Sequence, residues 1–218
     1  MLSSFRNIVL EQKVFIIGLP RTSTTSVCLA TLQLGFKTAH TAYTDQTMQH
    51  AQVIADTPIF CDYQQLDRQY PNAKYIYLTR QPALWLPSIK QLLQRMYKNL
   101  QRTDGGFNPI LKRCYNTVFS PLTEENIKQN EFLLSCYQRH LKAAKDFFKG
   151  REQDLLMIDV SQANSHCALV EFLGCKEDNN QCQGFEHINI GGKVTAWKQI
   201  KHPLKIEATK CGRVDKVS

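Results

Sequence analysis

The chain is short of several things, and each shortage narrows what it can be. No uninterrupted apolar run approaches the roughly 18 residues that a membrane-spanning helix needs; the longest is Val14 to Leu19, in KVFIIGLP. The opening MLSSFRNIVLEQK has a single Arg, no apolar h-region and no small-residue cleavage site, so no secretory signal is read and a cytoplasmic location without a membrane span is expected. There is no CxxC pair to hold zinc, although eight cysteines (Cys28, Cys61, Cys114, Cys136, Cys167, Cys175, Cys182 and Cys211) are scattered along the chain. In a reducing compartment they read as free thiols, mostly core filler. Internal repeats and low-complexity tracts are missing too. Hydrophobic residues at 43% and charged residues at 21% exclude collagen-like and wholly disordered chains. The 218 residues lie between one domain and two, and a single domain over 1–218 is the simpler reading.

Acidic residues are scarce as well. Asp plus Glu is 19 against 27 Lys plus Arg, for a formal net charge of +8. The excess favours an anionic partner, whether nucleic acid, an acidic glycan or a multiply phosphorylated nucleotide. A concentrated basic helix or an aromatic-studded basic strand is not found, so the charge has no groove-reading element to serve and no nucleic-acid partner is expected.

The pattern along the chain predicts strands alternating with helices. Val14 to Gly18 reads as a buried parallel strand, followed by the polar loop RTSTTS and an apolar helical stretch closed by Gly35. Phe36 to His40 fits a second strand, Gln64 to Tyr70 a short helix stopped by Pro71, and Lys74 to Thr79 (KYIYLT) a strand ending at Arg80. A long helix is expected from about Ser88 to Arg102, beyond Pro87, and a second from Thr123 to Gly150. Leu155 to Val160 reads as the next strand, and Asn164 caps a helix through Leu173. From Lys176 to Ser218 the chain is polar and lysine-rich, which predicts loops and a loosely held tail. The whole is an α/β fold, three-layered, with a mostly parallel sheet covered by helices on both faces.

Gly18-Leu-Pro-Arg-Thr-Ser-Thr-Thr25 sets hydroxyl residues between a strand and a helix, so that backbone N–H groups and the positive end of a helix dipole face one spot, where a phosphate fits. It nearly matches the ATP loop GxxxxGK[ST], but Ser23 and Thr24 replace that motif's Gly and Lys, and no Asp-terminated strand supplies an obvious magnesium ligand. The loop resembles instead the 5′-phosphosulfate loop of the P-loop-like sulfotransferases, [KR]-[ST]-G-T-T, through Arg21, Thr22, Ser23, Thr24 and Thr25, with Ser23 in place of the family's glycine. The family also has an Arg ending a later strand and a Ser eight residues on; here these are Arg80 and Ser88. Near the C-terminus IGGKVTAWK is similar to the family's RKGxxGDWK lid, keeping Gly192, Trp197 and Lys198 and offering Lys193 as a substitute cation. Ser26 stands where many members have an adenine-stacking Trp.

The resemblance implies an enzyme that moves a sulfuryl group from the co-substrate PAPS to a hydroxyl of a small molecule or glycan, releasing 3′,5′-bisphosphoadenosine without a metal. It implies that Arg21 stabilises the leaving charge, that Thr22 to Ser26 hold the 5′-phosphate, and that Arg80 and Ser88, the latter at a helix N-terminus, hold the 3′-phosphate, with Gly192 and Lys193 in the lid. For the general base it points to Asp56, two residues before Pro58 and 24 before Arg80; His40 has the better intrinsic pKa and ranks narrowly behind. An ATP-using P-loop kinase or nucleotidase and a non-catalytic nucleotide-binding member are the alternatives. The acceptor has no readable pattern in Thr41 to Pro58 or in 95–125, and a phenol, an alcohol, a lipid or a peptide tyrosine all fit.

Overall fold

The computed structural model describes residues 12–175, 184–185 and 196–209. Among these, β1 (Val14–Ile16), β2 (Thr38–Ala39), β3 (Val53–Ala55), β4 (Lys74–Thr79) and β5 (Leu155–Asp159) form one all-parallel sheet in the order β2-β3-β1-β4-β5. The helices are α1 (Thr24–Gln33), α2 (Asp45–His50), α3 (Ile59–Gln69), α4 (Pro82–Gln101), α5 (Pro109–Val118), α6 (Glu124–Lys128), α7 (Asn130–Phe147), α8 (Ser165–Phe172) and α9 (Ala196–Gln199).

Strand side chains alternate between two buried faces, which is why these strands read as continuous apolar runs. Val14, Ile16, Ile76 and Leu78 pack against Val27 and Cys28 of α1 and Leu169 of α8. Phe15, Ile17, Tyr75 and Tyr77 pack on the other side against Tyr63 and Leu66 of α3 and Ala144 of α7. The expected three-layer α/β architecture is therefore present. A further apolar cluster joins Trp85, Ile89 and Leu93 of α4 with Tyr115 of α5 and Leu133 and Tyr137 of α7.

The topology fixes where a ligand belongs. From β1 the chain turns through α1 toward β2 and β3 on one side, whereas β4 pairs β1 on the other side and leads outward to β5. In a parallel sheet the crevice outside the strand ends, where connections diverge, is the binding position. Gly18 makes the close approach possible there: a Cβ at that position would lie 2.6 Å from the Leu78 Cβ and 2.8 Å from the Leu78 backbone N.

Several expectations need correction. α4 starts at Pro82, whose fixed φ suits the first helical position, and tolerates Pro87 one turn further on; Ser88 is thus inside the helix and not at its N-terminus. α3 begins at Ile59, five residues ahead of Gln64, and the single helix from Thr123 is broken at Gln129 into α6 and α7. Asn164 precedes α8 without a side-chain capping bond. β5 does end on an aspartate, but Asp159 Oδ1 accepts from the Ser161 N–H (2.9 Å) and hydroxyl (2.7 Å) in a local turn. Cys167 is disulfide-bonded, so the cysteines are not all free thiols; Cys28, Cys61, Cys114, Cys136 and Cys175 are.

Part of the expected loose tail is also held. β2 is an edge strand whose outer backbone groups need partners. The Thr38 N–H donates to the Leu204 carbonyl (3.0 Å), the Ile206 N–H to the Thr38 carbonyl (2.9 Å) and the Thr47 hydroxyl to the Glu207 carbonyl (2.7 Å).

His140 of α7 is a structural histidine. Its ring lies between the Tyr77 hydroxyl (2.9 Å from Nδ1) and the Phe60 carbonyl (2.7 Å from Nε2). With Nε2–H donating to the carbonyl and Nδ1 accepting from the tyrosine, the neutral ring satisfies both contacts. Burial pushes its pKa down to about 4 from 6.5. The unfolded chain therefore binds a proton that the folded one refuses, and the contribution, on the order of 3 kcal/mol, is complete above pH 6.5 and lost as pH falls toward 4. We expect His140→Gln to flatten the fall in thermal midpoint between pH 6.5 and 4 relative to wild type; parallel curves would contradict this role.

Candidate functional site

The hydroxyl-rich loop is bent by backbone strain. Arg21 (φ 72°) and Ser23 (φ 74°) are left-handed, and Asp56, directly after β3, is the third non-glycine residue with positive φ among those described (φ 53°). All three lie just past the C-terminal ends of the central strands β1 and β3. Strain of this kind persists where surrounding structure enforces it, and it gathers at functional sites. Left-handed residues on either side of Thr22 curl the main chain into a concavity, the geometry of an anion nest. The Thr22 hydroxyl donates back to the Leu19 carbonyl (2.7 Å), and the Ser26 and Val27 N–H groups donate to the Ser23 carbonyl (3.1 and 3.3 Å), which starts α1. α1 begins directly after this loop, so the positive end of its dipole faces the concavity. Thr22, Thr24, Thr25 and Ser26 are all buried.

The loop is joined directly to the end of β4. One guanidinium nitrogen of Arg80 (Nη1) donates to the Arg21 carbonyl (2.8 Å), and Arg21 Nε donates to the Ser88 hydroxyl (2.7 Å). The two motifs therefore meet in space. Two further residues clamp them. The indole N–H of fully buried Trp85 donates to the Pro20 carbonyl (3.0 Å), and its ring packs on that of Tyr137 (4.8 Å). The Tyr137 hydroxyl accepts from the Arg80 N–H (3.0 Å) and donates to the Arg80 carbonyl (3.2 Å).

Positive charge gathers around Arg21. Burial pulls the Arg21 guanidinium below its usual range, and the positive charges of Arg95 and Arg80 pull it the same way. Arg95 is a site residue that the motifs miss, although a signal existed: it follows Ser88 on α4 by seven residues, two helical turns, and so shares its face. Three converging guanidinium groups repel one another, and a bound polyanion relieves that repulsion.

Both base candidates reach the same crevice. His40 Nε2 lies 3.1 Å from the Thr24 hydroxyl and 3.0 Å from the Thr25 hydroxyl. Burial lowers the His40 pKa, and the Asp56 carboxylate opposes that. Asp56 Oδ1 accepts from the Thr57 hydroxyl (3.0 Å). Its charge adds to burial in raising the Tyr43 and Tyr115 hydroxyls, while Arg21 acts on Tyr115 in the opposite sense. Asp56 is thus near enough to act on His40, Tyr43 and Tyr115, and Arg21 near enough to act on Tyr115. Gly192 and Lys193 lie outside the described residues. Trp197 from the same lid motif is described, and its ring stands 5.6 Å from that of His40.

A family model described as "Sulfotransferase domain" matches residues 41–194. That stretch takes in Asp56, Arg80 and Ser88, whereas the hydroxyl-rich loop and His40 precede it. No curated protein matches the chain. Among the described residues, no helix is long and apolar enough to cross a membrane.

Ser23 makes no side-chain capping bond, so its hydroxyl does not offset its left-handed backbone. Glycine there should raise stability by about 1 kcal/mol, measurable as a higher denaturation midpoint for Ser23→Gly. An unchanged or lower midpoint would show that the serine is doing something the backbone argument omits.

Proposed function

Because the chain belongs to the sulfotransferase domain family, whose reaction is sulfuryl transfer, we propose that it uses PAPS as donor and a hydroxyl compound as acceptor. The observation that carries this reading is the Arg80–Arg21–Ser88 linkage, which brings the hydroxyl-rich loop and the end of β4 together, the two segments that take the two phosphates on this reading. Bound there, PAPS supplies an activated sulfuryl group. The loop from Thr22 to Ser26 wraps the 5′-phosphate end, with the positive end of α1 directed at it. Arg80 and Ser88 take the 3′-phosphate, where a planar guanidinium fork suits a phosphate better than an ammonium does. Arg21, a permanent cation at the start of the loop, neutralises the charge that develops on the bridging oxygen. The lid residues Gly192 and Lys193 belong to this proposal on sequence grounds alone.

Asp56 is the proposed general base. It follows β3, the strand adjacent to β1, and lies near enough to Tyr43 and Tyr115 for its charge to act on both. His40 is better read as a positioning residue, since its Nε2 is committed to the two loop threonines. One observation favours a second reading. An acidic residue directly after the strand beside a phosphate loop is also where an ATP-using P-loop protein keeps a magnesium ligand, and Asp56 occupies that place. The missing loop lysine weighs against it.

Calorimetry separates the two. We expect wild type to bind 3′,5′-bisphosphoadenosine more tightly than Mg-ATP, and Arg21→Ala and Arg80→Ala each to lose about tenfold or more in affinity, as removal of a charged hydrogen-bonding partner does. Asp56→Asn should keep that affinity within about twofold and lose about 10² to 10⁴ in sulfuryl-transfer turnover. Affinity unchanged in either arginine variant would remove that residue from the donor site, and tighter Mg-ATP binding would replace this reading with the second.

A further inference from the structure

A second reactive centre lies on the far side of α3 from the sheet, and the sulfuryl-transfer reading makes no use of it. Cys61, in the first turn of α3, and Cys114, in α5, are both free, and their sulfurs together with a carboxylate oxygen of Asp62 lie within 4.8 Å of one another. The two cysteines are 53 residues apart in sequence, so their meeting is a product of the α3–α5 packing. Cys114 is fully buried, while Cys61 is half-buried and reachable.

Two chemistries fit adjacent thiols, a soft metal ion or a disulfide, and the surroundings choose. A metal would need the Asp62 carboxylate as a third ligand. Both oxygens of Asp62 are already gripped by the Arg113 fork, at 2.8 and 2.6 Å, and the guanidinium places a positive charge beside the sulfurs, 3.8 Å from Cys61 Sγ. That charge repels a cation and favours a thiolate. The start of α3 favours a thiolate as well, through the helix dipole.

We propose that Cys61 and Cys114 form a thiol–disulfide exchange site that takes a low-molecular-weight disulfide, with Cys61 as the attacking sulfur and Cys114 as the resolving one. The Cys61 thiolate attacks one sulfur of the incoming disulfide, whose S–S bond breaks and releases one small thiolate, leaving a mixed disulfide on Cys61. The Cys114 sulfur, its proton passing to the released thiolate, then attacks the Cys61 sulfur and expels the second small thiol. The two protein thiols are oxidised to one disulfide, and the small disulfide is reduced to two thiols. Closing the bond requires the sulfurs to come to about 2.05 Å from a present separation of no more than 4.8 Å. The hydrogen bond from Cys114 holds the Cys61 thiol below its usual range despite burial and Asp62, and Arg113 acts in the same direction; Cys114 is pushed well up. The roles of attacker and resolver follow that asymmetry and the difference in exposure. The product would tie α3 to α5 next to Phe60 and Tyr115, whose rings meet edge to face at 5.8 Å.

The test is exposure of the intact protein to oxidised glutathione, trapping of remaining thiols by alkylation, and peptide mapping by mass spectrometry. Wild type should yield a Cys61–Cys114 cross-linked peptide, while Cys28 and Cys136 are alkylated only on unfolding. Cys114→Ser should accumulate glutathione on Cys61, and Cys61→Ser should leave Cys114 reduced. Arg113→Gln, which keeps both thiols, should slow the reaction several-fold. The proposal is overturned if Cys61 and Cys114 stay reduced in wild type, if wild type stops at glutathione on Cys61, or if Cys114 reacts equally fast without Cys61.

Discussion

One hydrogen bond organises the crevice: a guanidinium N–H of Arg80 donates to the backbone carbonyl of Arg21. It ties the end of β4 to the loop after β1, and the adjacent parallel pairing of those strands is what brings the two within reach. Gly18 is a precondition, because any side chain there would collide with Leu78 where the strands part. Trp85 and Tyr137 then fix the two backbones from below, one gripping the Pro20 carbonyl and the other both polar groups of the Arg80 peptide unit. These clamps sit in the helical cluster of α4, α5 and α7, so that cluster supports the site mechanically as well as by burial.

What this rigid frame holds is unfavourable in isolation. Arg21 and Ser23 occupy left-handed backbone, Arg21 is partly desolvated, and Arg80 and Arg95 add like charge to it. Costs concentrated in one crevice, with the rest of the fold conventionally packed, are the mark of a place shaped for a ligand. An anion with two separated charged groups answers each of these costs. On the proposed reading, the loop and the start of α1 hold the 5′-phosphate, the arginines supply charge, and Asp56 takes the acceptor's proton. Sulfuryl transfer asks for these functions in this arrangement, since positioning and charge neutralisation carry most of such a reaction.

The sequence was most legible where one physical rule dominates. Lys74–Thr79 is a continuous apolar run between polar ends, so its bounds could be read directly, and the strand, loop and helix around Gly18 follow from a β-branched run and Gly35. The meeting of Arg21, Arg80 and Ser88 was legible only through resemblance to a family, because spacing along a chain says nothing about the strand order that brings them together. Short elements escaped: β3 has three residues and α2 six, too few for a period to emerge. Pro87 misled, since a proline in the second turn of α4 looks like a helix start when a better one, Pro82, precedes it. Trp85, Tyr137 and Arg95 were hidden for a different reason. Their roles rest on contacts to backbone carbonyls and to other charges across the fold, and local pattern does not encode these. The Cys167 disulfide was likewise invisible against a scattered set of thiols.

The most direct measurement is a crystal structure of the protein with 3′,5′-bisphosphoadenosine bound. The account predicts the 5′-phosphate seated on the backbone N–H groups of the Thr22 to Ser26 turn and the 3′-phosphate within hydrogen-bonding distance of the Arg80 guanidinium and the Ser88 hydroxyl. A nucleotide bound elsewhere, or one that leaves its 3′-phosphate in solvent away from Arg80, would contradict it.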